Sequence, residues 1–77
     1  AFQYTEKERS NITLSQREQD VLDLMVQGKS NSDIADSLFV STHTVKTYVT
    51  NLFQKLSVND RVQAAVKAVR LDLVSNQ

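Results

Sequence analysis

Only Phe39 and Val40 separate two stretches of helical periodicity, residues 30–38 and 41–56. A connection that short leaves no room for a wide loop, so the two helices cannot lie side by side as antiparallel neighbours. Each stretch opens on a serine, Ser30 and Ser41, whose hydroxyl can accept from the free amides of a first turn. Asp33 follows Ser30 three positions on, as a short-armed capping box. Ile34, Ala35 and Leu38 share one face of the first stretch. Val45, Val49, Leu52 and Leu56 recur along the second at i, i+4, i+7 and i+11, with Tyr48 and Phe53 beside them. Ala35 is small enough to let two helices cross closely, with Val40 and Val45 beneath the crossing. The pattern predicts a helix-turn-helix.

The polar side of the second stretch carries His43, Thr44, Lys46, Thr47, Thr50, Asn51, Gln54 and Lys55. Residues 41–56 contain no Asp or Glu, although acids and bases balance over the chain, nine against nine. Solvated helix faces usually mix both signs. Hydroxyls, amides and lysines alone suit a polyanion with hydrogen-bonding edges, which points to DNA. The net charge of zero argues against a nucleic-acid binder only if the charge is evenly spread. Here Glu18, Asp20 and Asp23 cluster upstream against Arg17, so one face can be basic while the total is neutral.

Composition excludes several other roles. The chain has no Cys, so neither a disulfide nor a thiolate metal site is available, and its single His makes a zinc site improbable on ligand chemistry. No run of apolar residues is long enough to span a bilayer, and no signal peptide is evident, so we expect no membrane partner and a cytoplasmic setting. The absence of Pro and the single Gly favour helices over a turn-rich sandwich. No Ser/His/Asp set, phosphate loop or paired-carboxylate site is evident. We therefore expect no enzyme and no cofactor.

Residues 1–11 are polar and aperiodic and read as a linker or tail, leaving residues 12–77 as one domain. Ser15-Gln16-Arg17-Glu18 is a capping box that opens a first helix. Glu18, Val21, Leu22 and Met25 form its inner stripe, and Gly28 supplies a left-handed stop. Glu18 lies on the apolar side, where a charge is costly unless paired. A fourth helix is expected from a cap at Asn59 to about Leu71, with residues 74–77 as a frayed end. It carries two apolar stripes. Ala64, Ala65, Ala68 and Leu71 form one, with Arg61 on its edge; Val62, Val66, Val69 and Leu73 form the other. A domain this small needs only one for its own core. Directing the alanine stripe and Arg61 inward predicts a Glu18–Arg61 ion pair and leaves Val62, Val66 and Val69 as an outward row suited to a partner.

Taken together, these blocks resemble the LuxR-type helix-turn-helix domain of the NarL/FixJ class of response regulators. The resemblance rests on Leu14-Ser15-x-Arg17-Glu18 with Val21 and Leu22, and on Gly28-Lys29-Ser30-Asn31-x-x-Ile34-Ala35. Val40-Ser41-x-x-Thr44-Val45-Lys46 and Lys55-Leu56-x-Val58-x-x-Arg61-x-x-Ala64 complete it. Four ordered blocks at consistent spacing are far more specific than one short motif. The sequence departs from the family pattern at Tyr48, where His is common, and at Leu71-Asp72-Leu73, where Gly often precedes the last Leu. Phe39 stands where many such turns carry Gly.

The resemblance implies an all-α, four-helix DNA-binding output domain whose third helix enters the major groove of double-stranded DNA. It implies base reading by Lys46, Thr47 and Thr50. Backbone contacts are expected from Lys29, Ser30, Asn31, Ser41, Thr42, His43, Thr44, Tyr48, Asn51 and Lys55. It also implies a dimer, expected here to be weak and to form through the fourth helix, and a receiver domain preceding residue 1. Two rival readings stand beside this one. A ligand-sensing domain of the quorum-sensing type could replace the receiver. Alternatively, the helices could serve a protein–protein adaptor, against which the acid-free face argues.

Overall fold

The computed structural model describes residues 12–74. Among these residues the chain forms four α-helices and no strand: α1 (Gln16–Val26), α2 (Asn31–Leu38), α3 (Thr42–Leu56) and α4 (Arg61–Arg70). This is the expected all-α helix-turn-helix architecture. The expected linker over residues 1–11 and the last three positions of the expected frayed end lie outside the described residues.

Each helix starts where a short polar side chain can take a free amide. Ser15 forms the full capping box, its Oγ accepting from Glu18 N–H at 3.2 Å while Glu18 Oε1 accepts from Ser15 N–H at 2.9 Å. Ser30 and Ser41 accept from the amides of Asp33 and Thr44, each at 3.1 Å. The cap of α4 is Asp60, whose carboxylate accepts from Gln63 N–H at 2.9 Å, rather than Asn59. The reason is a second bond: the Gln63 side chain accepts from Asn59 N–H at 3.1 Å, which sets the first turn one residue later.

The helices also stop alike. Gly28, Phe39, Ser57 and Asp72 all take positive φ, at 87°, 59°, 57° and 56°. In each case the next residue's amide reaches back five positions, Lys29 to Leu24, Val40 to Ala35, Val58 to Phe53 and Leu73 to Ala68. These are left-handed helix stops of the Schellman kind. Asp72 thereby does the work of the glycine common before the last Leu, since an Asp side chain tolerates this conformation. Phe39 tolerates it less well and gains nothing by burial, being 94% exposed. Phe39→Gly is expected to raise stability by roughly 0.5–1 kcal/mol. That is the left-handed strain relieved, about 1–2 kcal/mol, less the added entropy of glycine. Thermal unfolding of the variant checks it; a lower melting temperature would show the ring to be supported.

α3 is the central helix, with α1 and α2 both packed on it and α4 closing against α1 and α3. Val21, Leu22, Ile34, Val45, Leu52 and Leu56 are the largest side chains fully withdrawn from water. Of the two stripes of α4, Ala64 and Ala68 are buried with Leu71 just beyond, and Ala65 is half-buried. Val62, Val66 and Val69 face outward at 72%, 46% and 56% exposure. Val74, expected in a frayed end, belongs to the core at 8% exposure. The left-handed turn at Asp72 folds the chain back, and the Gln19 amide donates to the Leu73 carbonyl, which ties that turn to α1.

Candidate nucleic-acid interface

The exposed side of α3 holds Thr42, His43, Lys46, Thr47, Thr50, Asn51 and Gln54, with Thr44 and Tyr48 half-buried at its margins. Lys46, Thr47 and Thr50 thus lie on one accessible face. The Lys46 ammonium makes no hydrogen bond or ion pair with another described residue, which leaves it open to an external acceptor. The threonines differ: Thr47 Oγ1 donates to the His43 carbonyl at 3.2 Å, and Thr50 Oγ1 donates to the Lys46 carbonyl at 3.0 Å. With their protons used by the backbone, both offer oxygen lone pairs and a methyl group. Such groups suit the amino groups of adenine or cytosine, or the methyl of thymine, better than the acceptors of guanine.

α2 and α3 each open on a serine-capped N-terminus. At α2, Lys29 and Ser30 are exposed and Asn31 is half-buried; at α3, Ser41, Thr42 and His43 are exposed. Ser41 Oγ also shares a 3.0 Å bond with Thr44 Oγ1, so the first turn of α3 is held rigidly. Free first-turn amides favour an anion at each place. α2 also carries the exposed acids Asp33 and Asp36, and a DNA backbone would not run along that part of its surface.

Two expectations about charged residues are corrected. Glu18 pairs with Lys55, not Arg61: Lys55 Nζ lies 2.6 Å from Glu18 Oε1 and 3.0 Å from the Thr13 carbonyl. Lys55 comes from the last turn of α3, which packs on α1, and its long stem reaches the carboxylate at the start of α1. The hydrogen bond from Lys55 holds the Glu18 carboxyl below the usual glutamate range, against the opposing effect of burial, with help from the Ser15 amide. Lys55, expected at a phosphate, therefore has its ammonium committed within the fold. Arg61 points elsewhere, donating to Asn31 Oδ1 at 2.7 Å and to the Lys29 carbonyl at 2.6 Å. Sequence reasoning missed this contact, as it missed Gln19; polar residues on the edge of an apolar stripe were the only signal for either.

Two of the outward valines of α4, Val62 and Val66, border a shallow groove of about 350 Å³ that is also lined by Ser57, Val58, Gln63 and Lys67. Among the described residues, no helix is long and apolar enough to cross a membrane.

Residues 12–68 match the family described as bacterial regulatory proteins, luxR family. The chain is 48% identical over 71 residues to the uncharacterized transcriptional regulatory protein YhcZ of Bacillus subtilis, covering 92% of this chain and 33% of that protein. It is 43% identical over 67 residues to the spore germination protein GerE of the same organism, covering 86% of this chain and 90% of GerE. The solved structure of the response regulator ChrA of a heme-sensing two-component system superposes with a TM-score of 0.78 at 39% identity, over 80% of this chain and 31% of ChrA. The chain thus spans about a third of YhcZ but most of GerE.

Proposed function

The chain belongs to the luxR family of bacterial regulatory proteins and is a DNA-binding domain homologous to response-regulator transcription factors; from that premise we propose that it is the sequence-specific output domain of a two-component response regulator acting in the cytoplasm. In this reading α3 enters the major groove with Lys46, Thr47 and Thr50 at base edges. Lys29, Ser30, Asn31, Ser41, Thr42, His43, Thr44, Tyr48 and Asn51 hold phosphates on either side. The role is binding, without catalysis. Residues 1–11 tether the domain, residues 12–77, to a receiver, consistent with the greater length of YhcZ. The observation that carries the reading is the acid-free exposed face of α3, a helix that, like α2, opens on a serine-capped N-terminus.

A gel-shift titration with random duplex at low salt, repeated at higher salt, tests it. Affinity should fall steeply with salt, by about 0.9 log units per log of salt for each phosphate neutralised. A flat response would favour an adaptor.

The row Val62, Val66 and Val69 supplies a weak twofold contact in the same reading. Pairing two copies of α4 is self-complementary and closed, and it sets two recognition helices on one side of the duplex. The row is short, so the domain alone should be mostly monomeric in dilute solution, with DNA or the receiver adding the missing association energy. Val66→Glu is expected to leave binding to a single half-site intact and to abolish cooperative binding to paired half-sites. Val66 is 46% exposed, so the fold tolerates the charge. Unchanged cooperativity would place the dimer surface elsewhere.

A further inference from the structure

We propose that Arg61 is a positioning residue for DNA binding: from the first turn of α4 it fixes the side chain of Asn31 and the backbone of Lys29, so that the N-terminus of α2 is preset for a phosphate. The inference rests on the reading of Asn31 as a phosphate contact and adds what makes that contact specific in geometry.

The two bonds from Arg61 end on neutral oxygens, Asn31 Oδ1 at 2.7 Å and the Lys29 carbonyl at 2.6 Å. They bridge residues 30 and 32 positions apart in sequence. Helices α2 and α4 do not pack on one another among the described residues, so the guanidinium spans a gap between them. Its place is electrostatically poor for a merely structural cation. Arg61 is the first residue of α4, where the helix dipole disfavours positive charge, and both of its partners are uncharged.

The chemistry of the pair settles which way the Asn31 amide faces. A guanidinium only donates, so the atom it meets must be the carbonyl oxygen. The Asn31 NH2 group, on the first residue of α2, is therefore turned away from Arg61. An unanchored asparagine there would present its oxygen to a phosphate about as readily as its nitrogen, and the oxygen repels. The second prong holds the carbonyl of Lys29, whose own N–H is bonded to the Leu24 carbonyl, so the residue before Ser30 is held at both its backbone groups. Planar, two-pronged geometry is what arginine offers and lysine does not. Because Arg61 precedes Val62 on α4, the helix proposed to pair two copies also carries the residue that sets this phosphate contact.

The test is a double-mutant cycle of Arg61→Ala and Asn31→Ala on binding of the 77-residue chain to a random-sequence duplex at low salt. Circular dichroism melts confirm that each variant is folded at the assay temperature. Arg61→Lys, which keeps the charge and loses the fork, guards against a purely electrostatic effect. Asn31→Ala should weaken binding about threefold to tenfold, the range of one hydrogen bond. Arg61→Ala and Arg61→Lys should do the same, and the double variant should lose no more than either single change. In the free protein the Asn31 side-chain amide should show a rigid heteronuclear NOE that drops in Arg61→Lys. If Asn31→Ala binds weakly while Arg61→Lys binds normally, or if the two losses multiply, the positioning role falls and the Asn31 contact stands. If Asn31→Ala binds like the unaltered chain while Lys46→Ala does not, the phosphate reading of Asn31 falls, and the inference with it.

Discussion

Replacing Glu18 with alanine is expected to destabilise the fold by roughly 2–3 kcal/mol, the largest single-residue effect on stability outside the apolar core. Glu18 is 5% exposed and serves two elements at once. Its carboxylate closes the capping box of α1 through Ser15 N–H, and it receives Lys55 from the end of α3 at 2.6 Å. Breaking a fully buried ion pair by removing one partner costs about 3–5 kcal/mol, because the other charge is stranded. Lys55 is 40% exposed on its side chain and can turn to water, so that figure must be discounted. Loss of the cap adds about 1 kcal/mol. Glu18→Gln separates the two contributions: its amide oxygen can still accept from Ser15 N–H, but the charge is gone, so a smaller loss is expected.

Acidification should reproduce part of this effect. The folded-state pKa of Glu18 is depressed, so its contribution is complete above the ordinary glutamate range and is lost as pH falls through the folded value. The melting temperature of the unaltered chain should therefore drop more steeply in that acidic window than that of Glu18→Gln. Parallel curves would mean that Lys55 does not stabilise the ionised carboxylate. Lys55→Ala should lower stability by a comparable route, while DNA binding below the melting temperature should not weaken uniformly, as loss of a phosphate contact would require.

What the sequence revealed and what it concealed follows a physical line. Helix starts and stops depend on neighbours within five residues, so Ser15, Ser30, Ser41 and Gly28 were legible from local chemistry, and the one misplaced start, Asp60 for Asn59, is a shift of a single residue; the stops at Phe39, Ser57 and Asp72 carry no glycine to mark them. Burial follows periodicity, so the stripe of α3 and the two stripes of α4 could be read without coordinates. Periodicity places a charge on a face but does not say which distant cation reaches it. Glu18 had to be paired, yet the choice between Lys55 and Arg61 depends on how α3 and α4 pack against α1. Val74 was misjudged for a related reason: chain ends commonly fray, and only the left-handed turn at Asp72 with the bond from Gln19 returns it to the core. The assignment of Lys46, Thr47 and Thr50 to base edges came from the family resemblance; the residues themselves supplied only an acid-free face.

Lys46→Ala is expected to be the most damaging change at that face. It should weaken binding to a site selected from a random duplex library by about 1–3 kcal/mol, and binding to random duplex by less. Lys46 is exposed in the first half of α3, with no other described residue claiming its ammonium. A free ammonium there can donate to O6 or N7 of guanine, the acceptors that the neighbouring threonines are poorly equipped to meet, since Thr47 and Thr50 spend their hydroxyl protons on the carbonyls of His43 and Lys46. In the proposed reading the two kinds of side chain divide the groove, the lysine meeting acceptors and the threonines meeting amino donors or a thymine methyl. A phosphate contact by Lys46 would behave differently, because phosphates carry no sequence information, and its loss would weaken every duplex alike. Measuring both affinities for Lys46→Ala decides between them. A fall in the ratio of selected-site to random-duplex affinity assigns Lys46 to a base edge, and an unchanged ratio assigns it to the backbone. Thr50→Val sharpens the division, since it keeps a methyl and removes the oxygen. Retained discrimination would mean that Thr50 reads a thymine methyl, and lost discrimination that its oxygen accepts from a base amino group.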